Sequence, residues 1–154
     1  RRALGGWLDV AGKDVVDLGS GTGELCWLAH NHGAQEITGV NLSQEEINFA
    51  SPHVPVKFVN QDIVSFLTQQ PDESCDRIFA LNILEHLGKD ELVQILEESV
   101  RCLRDGGQLV AMVPNATSPF GCMTRYWDIT HQLAFTPSSV MQLMRLCGFA
   151  AAEF

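Results

Sequence analysis

An aspartate and a histidine three residues apart, Asp128 and His131, stand in a stretch that also holds Arg125, Tyr126 and Trp127. An imidazole oriented by a carboxylate accepts a proton near neutral pH. The rings of Tyr126 and Trp127 offer stacking surface for a sugar or another ring, and Arg125 suits an anionic group. A local hydrogen bond pinning an irregular loop would use the same Asp128/His131 spacing. His86 is a second candidate base, in a turn Leu84-Glu85-His86-Leu87 that also reads as a helix anchor. His30, His32 and His53 fall away from these stretches and read as surface.

Nearer the start, Asp17 precedes by two residues the run Gly19-Ser20-Gly21-Thr22-Gly23-Glu24. Glycines after a strand let backbone approach a ligand closely. A phosphate loop of the form G-x-x-x-x-G-K-[ST] is excluded, because neither its lysine nor its hydroxyl follows. The dinucleotide fingerprint G-x-G-x-x-G/A fits at Gly19 and Gly21, but its third position is Glu24, whose carboxylate would repel a pyrophosphate. Carboxylates at such a turn suit a ligand with a cationic end and no phosphate, as in the ammonium and sulfonium of S-adenosylmethionine. A plain strand-to-helix turn, in which the glycines only relieve strain, would use the same residues.

These side chains need elements to hold them. Apolar runs at Lys13–Leu18, Glu36–Asn41, Val54–Asn60, Cys75–Leu81 and Gln108–Val113 read as strands. Helices are expected over 24–32, over 43–50 behind a capping box Ser43-x-x-Glu46, and over 63–70 with Asp62 as N-cap. Leu92, Ile95, Leu96, Val100 and Leu103 recur at helical spacing until Asp105-Gly106-Gly107 stops them. Residues 114–135 read as irregular. Thr136-Pro137 opens a last helix, apolar at Val140, Leu143, Met144 and Cys147, and residues 149–154 begin a sixth strand. The alternation predicts an α/β fold: a doubly wound, mostly parallel sheet with helices on both faces and ligands beyond the strands' carboxyl ends.

A chain of 154 residues, 45% hydrophobic and 19% charged, forms one soluble domain. Its net charge of −9 argues against a nucleic-acid or anionic-membrane partner, since both need clustered Lys and Arg. Five cysteines without a C-x-x-C pair resemble neither a disulfide framework nor a zinc site, and we expect no metal. They read mostly as small core residues in a reducing cytoplasm. Neither a membrane-spanning run nor a signal peptide is visible.

The glycine turn does not stand alone. Val40-Asn41-Leu42-Ser43, Gln61-Asp62-Ile63, Cys75-Asp76-Arg77-Ile78 through Leu84-Glu85-His86-Leu87, and Leu103-Arg104-Asp105-Gly106-Gly107 follow it in order. Together they resemble class I S-adenosylmethionine-dependent methyltransferases over roughly residues 13–150, which implies a Rossmann-like sheet. By that resemblance Asp17, Gly19, Gly21 and Gly23 enclose the methionine end of the cofactor, and Leu81 offers backbone to its amino-acid portion. Asn41 lies at the ribose, Leu42 against the adenine face, and Asp62 with Ile63 at the adenine edge. Asp62 also suits a helix cap, and Leu42 and Leu81 suit ordinary core.

Asn41 departs from the family's usual carboxylate, so weaker cofactor binding is expected. The departure also keeps open a non-catalytic module of the same fold. The family's sheet ends in a seventh strand and is covered by an N-terminal helix. We therefore expect residues 1–154 to be one domain trimmed at both ends, with an open pocket. Residues 114–137, with Asn115-Ala116-Thr117-Ser118-Pro119-Phe120-Gly121 and Arg125 through His131, resemble a subgroup of bacterial methyltransferases of surface-polysaccharide synthesis. That subgroup implies methylation of sugar hydroxyls, and we expect methyl transfer to an oxygen of a sugar or other small polar metabolite; the residues themselves put His131, oriented by Asp128, at the chemistry, with His86 ranked behind it. An NAD(P)-dependent oxidoreductase on a similar sheet is the remaining rival, and the oligomeric state is left open.

Overall fold

The computed structural model describes residues 6–153. Strands β1 (Asp14–Leu18), β2 (Glu36–Asn41), β3 (Lys57–Asn60), β4 (Cys75–Leu81) and β5 (Leu103–Met112) pair in parallel in the order β3-β2-β1-β4-β5. The chain winds outward from β1 in both directions, so the order reverses between β1 and β4. The helices are α1 (Glu24–Asn31), α2 (Gln44–Ala50), α3 (Ile63–Thr68), α4 (Lys89–Cys102), α5 (Gly121–Trp127) and α6 (Pro137–Leu146).

Alternating strand residues feed two cores. Val16, Leu18, Val40, Ile78 and Ala80 pack with Phe66 and Leu67 of α3, Leu92, Ile95 and Leu96 of α4 and Met144 of α6. On the opposite face Val15, Ile37 and Phe79 pack with Cys26 and Ala29 of α1. Strands buried on both faces explain the near-continuous apolar runs in the sequence. Among the described residues no helix is long and apolar enough to cross a membrane. All five cysteines are free; four are buried and Cys122 is exposed.

Several boundaries differ from the sequence reading. β3 begins at Lys57 rather than Val54, because Val54 N still bonds to Ala50 O and Pro55 has no N–H to give a ladder. Asp105-Gly106-Gly107 does not stop a helix: α4 ends at Cys102 and β5 follows at once. The register jumps from Cys75↔Leu103 to Arg77↔Gln108, with Gly106 at φ 74° absorbing the extra chain. Residues 114–135 are not wholly irregular, since α5 lies within them. Residues 149–153 form no sixth strand. Phe149 N is committed to Met144 O at the end of α6, which leaves β5 as the sheet edge. Phe154, where the expected strand ended, and Arg1–Gly5, in the expected N-terminal cover, lie outside the described residues; Gly6–Leu8 is a single 3-10 turn.

Candidate active site

The glycine turn sits beyond the carboxyl end of β1, at the reversal of strand order. Gly19, Gly21 and Gly23 have φ of 75°, 50° and 85°, a region that disfavours side chains. A Cβ at Gly23 would stand 3.0 Å from Phe58, whereas one at Gly21 would meet nothing within 4 Å. The turn is therefore packed beneath and open above. Glu24 begins α1, its carboxylate accepting from Thr22 Oγ1 at 2.6 Å and held below its usual range mainly by that bond.

Asp17 faces inward. It is 3% exposed, and its Oδ2 accepts from Cys26 Sγ at 3.4 Å. Burial pushes its carboxyl up to about 7, with the nearby Glu24 charge adding to the shift. Asp17 thus supports the turn from beneath.

Asn41, at the end of β2, spends its amide on the protein. Nδ2 donates to Gly21 O at 3.2 Å and to Glu46 Oε2 at 2.7 Å, while Oδ1 accepts from Ser43 N. Only half of the expected capping box forms: Ser43 Oγ accepts from Glu46 N, but the Glu46 side chain turns to Asn41 instead. A carboxylate therefore stands beside β2 after all, supplied from α2. Leu42 is 73% exposed, so it is not core. Asp62 caps α3 by accepting from Ser65 N at 2.8 Å, and the Ser65 hydrogen bonds hold its carboxyl low. Ile63 packs against the core under α3, and Leu81 is half-buried at the end of β4.

Across from the glycines, the chain after β4 makes a 3-10 turn, Leu84–His86. A Cβ on Gly19 would lie 3.1 Å from Ile83, so this turn and the glycine turn are neighbours. The segment after α5 is clamped onto it. Gln132 N and Leu133 N both donate to Glu85 O, and Gln132 Nε2 donates to His86 O. The clamp sets the imidazoles of His86 and His131 edge to face, with centroids 4.7 Å apart.

Hydrogen bonding fixes which nitrogens carry protons. His131 Nδ1 lies 3.1 Å from Thr124 O, a carbonyl that only accepts, so Nδ1 donates. The Thr130 hydroxyl gives its one proton to Asp128 Oδ1, so it must accept from His86 Nδ1 at 2.8 Å. In the neutral rings the lone pair of each histidine is therefore on Nε2. Asp128 does not orient His131 directly. Its carboxylate takes the backbone and hydroxyl of Thr130, which hold it low, and it reaches His86 through that hydroxyl.

The carboxylate beside His131 is Glu85, 2% exposed, whose Oε1 is 4.0 Å from Nε2 and whose Oε2 has no partner. One ligand atom from each of Glu85, His86 and His131 lies within 4.8 Å of the other two. Sequence reasoning missed Glu85 and Glu46. Each was visible only as one letter of a turn or a cap, and burial or a long-range bond gives it its part. Tyr126 and Trp127 are 78% and 80% exposed and remain available for stacking, but Arg125 is engaged with Gln132 O and the Tyr126 ring. His30, His32 and His53 are exposed, as expected.

The sheet order, with the open glycine turn at its reversal and Glu85, His86 and His131 opposite, is that of an α/β domain of the class I, S-adenosylmethionine-dependent methyltransferase fold. The family model for the methyltransferase domain matches residues 15–107, and the chain belongs to that family. It is 36% identical over 110 residues to methyltransferase GfsG of Streptomyces halstedii, covering 66% of this chain and 38% of that protein. It is 28% identical over 162 residues to O-methyltransferase resE of Aspergillus sclerotiorum, covering 94% of this chain and 57% of the relative. The chain thus spans less than two thirds of either protein. A SAM-dependent methyltransferase from Archaeoglobus fulgidus superposes with a TM-score of 0.82 at 24% identity, over 90% of this chain and 62% of that one.

Proposed function

We propose that this domain binds S-adenosylmethionine and moves its methyl group to a hydroxyl oxygen of a sugar or another small polar metabolite. The residues fit the cofactor: the space above Gly21 is open, Glu24 disfavours a phosphate there, and the exposed Leu42 offers an apolar ledge for a base. Gly19, Gly21, Gly23 and Leu81 would meet the methionine portion, with Asp17 bracing the turn. Asn41 and Glu46 would face the ribose, and Leu42, Asp62 and Ile63 the adenine. When bound, the cofactor supplies an electrophilic methyl that an acceptor oxygen takes in one in-line displacement, sulfur keeping the bonding pair.

The protein's share is alignment and removal of the hydroxyl proton. His131 Nε2 is the acceptor of that proton, with Oε1 of the buried Glu85 carboxylate 4.0 Å from it. His86, tied through Thr130 to Asp128, holds the other side of the cluster. The juxtaposition of a bare Nε2 with a buried, unpartnered carboxylate carries the reading, and it favours a hydroxyl acceptor, which has a proton to lose, over a carboxylate acceptor. The likeness to an O-methyltransferase over 94% of the chain supports it.

The test is S-adenosylhomocysteine release from a panel of sugar, nucleotide-sugar and phenol acceptors. His131→Ala should lower kcat by about 10²–10⁴-fold on a hydroxyl acceptor and leave S-adenosylhomocysteine affinity within twofold. Unchanged turnover would remove His131 from the chemistry. Cofactor binding without turnover on any acceptor would favour a non-catalytic module, and a thermal shift with NADH but not S-adenosylmethionine would favour the oxidoreductase.

A further inference from the structure

The same cluster is short of positive charge. Glu85 Oε2 is buried without a partner, and Oε1 is too far from His131 Nε2 for a hydrogen bond at 4.0 Å. Both imidazoles direct their N–H away, to Thr124 O and Thr130 Oγ1, and so keep Nε2 bare when neutral. His131 Nε2 and the Glu85 carboxylate thus face each other without a hydrogen bond between them, and a ring nitrogen of His86 lies within 4.8 Å of both residues' ligand atoms. A buried carboxylate is costly in such a place unless a cation joins it.

We infer that Glu85, His86 and His131 form a binding site for a divalent transition-metal ion of the zinc class. The donor set, two imidazoles and one carboxylate, suits zinc and not magnesium, which prefers oxygen ligands alone. The outer contacts are also those of a metal site. A ligating histidine gives its other N–H to a carbonyl or to a group tied to a carboxylate. Here His131 Nδ1 meets Thr124 O, and His86 Nδ1 meets a Thr130 hydroxyl bonded to Asp128. Tetrahedral zinc with bonds of about 2.0–2.2 Å needs its ligands about 3.3 Å apart. The present separations are within 4.8 Å, so binding an ion would draw the three side chains together. Glu85 is fixed at the floor by its backbone carbonyl, which holds Gln132 N and Leu133 N, while His86 is only partly buried, leaving an open coordination position toward solvent.

The inference concerns the cluster proposed above to take the acceptor's proton. An ion on His131 Nε2 occupies the lone pair that the proton needs, so zinc should inhibit methyl transfer.

The experiment is titration calorimetry of tag-free, metal-stripped protein with Zn²⁺, repeated with Co²⁺ while its visible ligand-field absorption is followed. A Cys122→Ser background keeps the exposed thiol out of the measurement. One ion per chain should bind. Affinity should fall at least tenfold in Glu85→Gln and in His131→Gln, and about tenfold in Thr130→Val, which removes only the outer contact of His86. His53→Ala, exposed and remote, should change nothing. S-adenosylhomocysteine affinity reports that each variant is folded. Absence of a stoichiometric site, affinity unchanged in both Glu85→Gln and His131→Gln, or Mg²⁺ binding as tightly as Zn²⁺ would each overturn the inference. Metal binding needs no acceptor, so it stands or falls separately from turnover: zinc binding as described, with no methyl transfer by the metal-stripped protein to any hydroxyl, would overturn only the proposed function.

Discussion

The two ends of the sheet treat charge in opposite ways. At the amino ends of β1 and β4, Arg104 bridges Asp14 and Asp76 at 2.9 and 2.8 Å and donates to Ser74 O. Nearby, Arg101 ties Asp72 and Glu98 to the carbonyls of Leu67 and Gln70. Asp14 Oδ1 and Arg77 Nε are the unpartnered buried atoms there. At the carboxyl ends, among the described residues, buried Asp17 accepts from the Cys26 thiol, and Ser20 Oγ and Glu85 Oε2 are buried without a partner. One end ties its carboxylates to guanidinium groups, and the other buries two carboxylates away from any described ion pair shorter than 4.0 Å.

The sharpest way to break this contrast is a pH titration of stability. The Asp17 carboxyl has an ordinary value of 3.8 and is pushed by burial to about 7 in the fold. The folded chain therefore holds this proton more tightly than the unfolded chain does. Its contribution to stability is complete below pH 4 and is lost as pH rises through about 7, by up to about 4 kcal/mol. Asp17→Asn should remove that slope and raise the unfolding midpoint at pH 8. Denaturant curves at pH 5 and pH 8 decide it, and equal slopes in both proteins would refute the assignment.

At the opposite end, Arg101→Ala removes the guanidinium from Gln70 O, Asp72 and Glu98 and one of the donors to Leu67 O, which keeps Gln70 N and Cys102 Sγ. We expect a loss of about 2–3 kcal/mol in unfolding free energy with S-adenosylhomocysteine affinity unchanged. Calorimetry on the variant checks both halves. Weakened cofactor binding would mean that the two ends are coupled.

Smaller, and of opposite sign, is Glu85→Gln. Replacing a buried carboxylate that makes no side-chain hydrogen bond among the described residues by a neutral amide should stabilise the fold by about 1 kcal/mol, read from the melting temperature at pH 8. A lowered melting temperature would show that Glu85 already has a stabilising partner.

The contrast also explains what could be read in advance. Strands β1, β2 and β4 were legible because residues such as Val15-Val16 and Ile78-Phe79-Ala80 are buried on both faces and form unbroken apolar runs. The glycine turn was legible because positive φ leaves almost no alternative residue. The sixth strand was misread because Phe149 looks the same whether it pairs in a sheet or closes a helix. The pairing of Asp128 with His131 was misread for a related reason. Spacing brought the two residues near each other, but Thr130, between them, took the carboxylate for an Asx turn and left His131 to Glu85, which is forty-six positions upstream. Contacts of that range leave no periodic trace in the sequence.

A further effect concerns the ribose side. Loss of the β2 carboxylate predicts weak cofactor binding, yet Asn41 Nδ2 holds Glu46 Oε2 at 2.7 Å beside Gly21 O, so the charge has moved to α2 and has not disappeared. If Glu46 accepts from the ribose, Glu46→Gln should weaken S-adenosylhomocysteine by about tenfold, roughly 1.4 kcal/mol. Asn41→Asp alone should gain little, because it sets two carboxylates against each other. Combined with Glu46→Gln it should restore affinity, since the amide and the carboxylate have then exchanged places. A double-mutant cycle by calorimetry measures the coupling. Additive losses would mean that Glu46 touches only Asn41, and that the end of β2 binds its ligand without a charge.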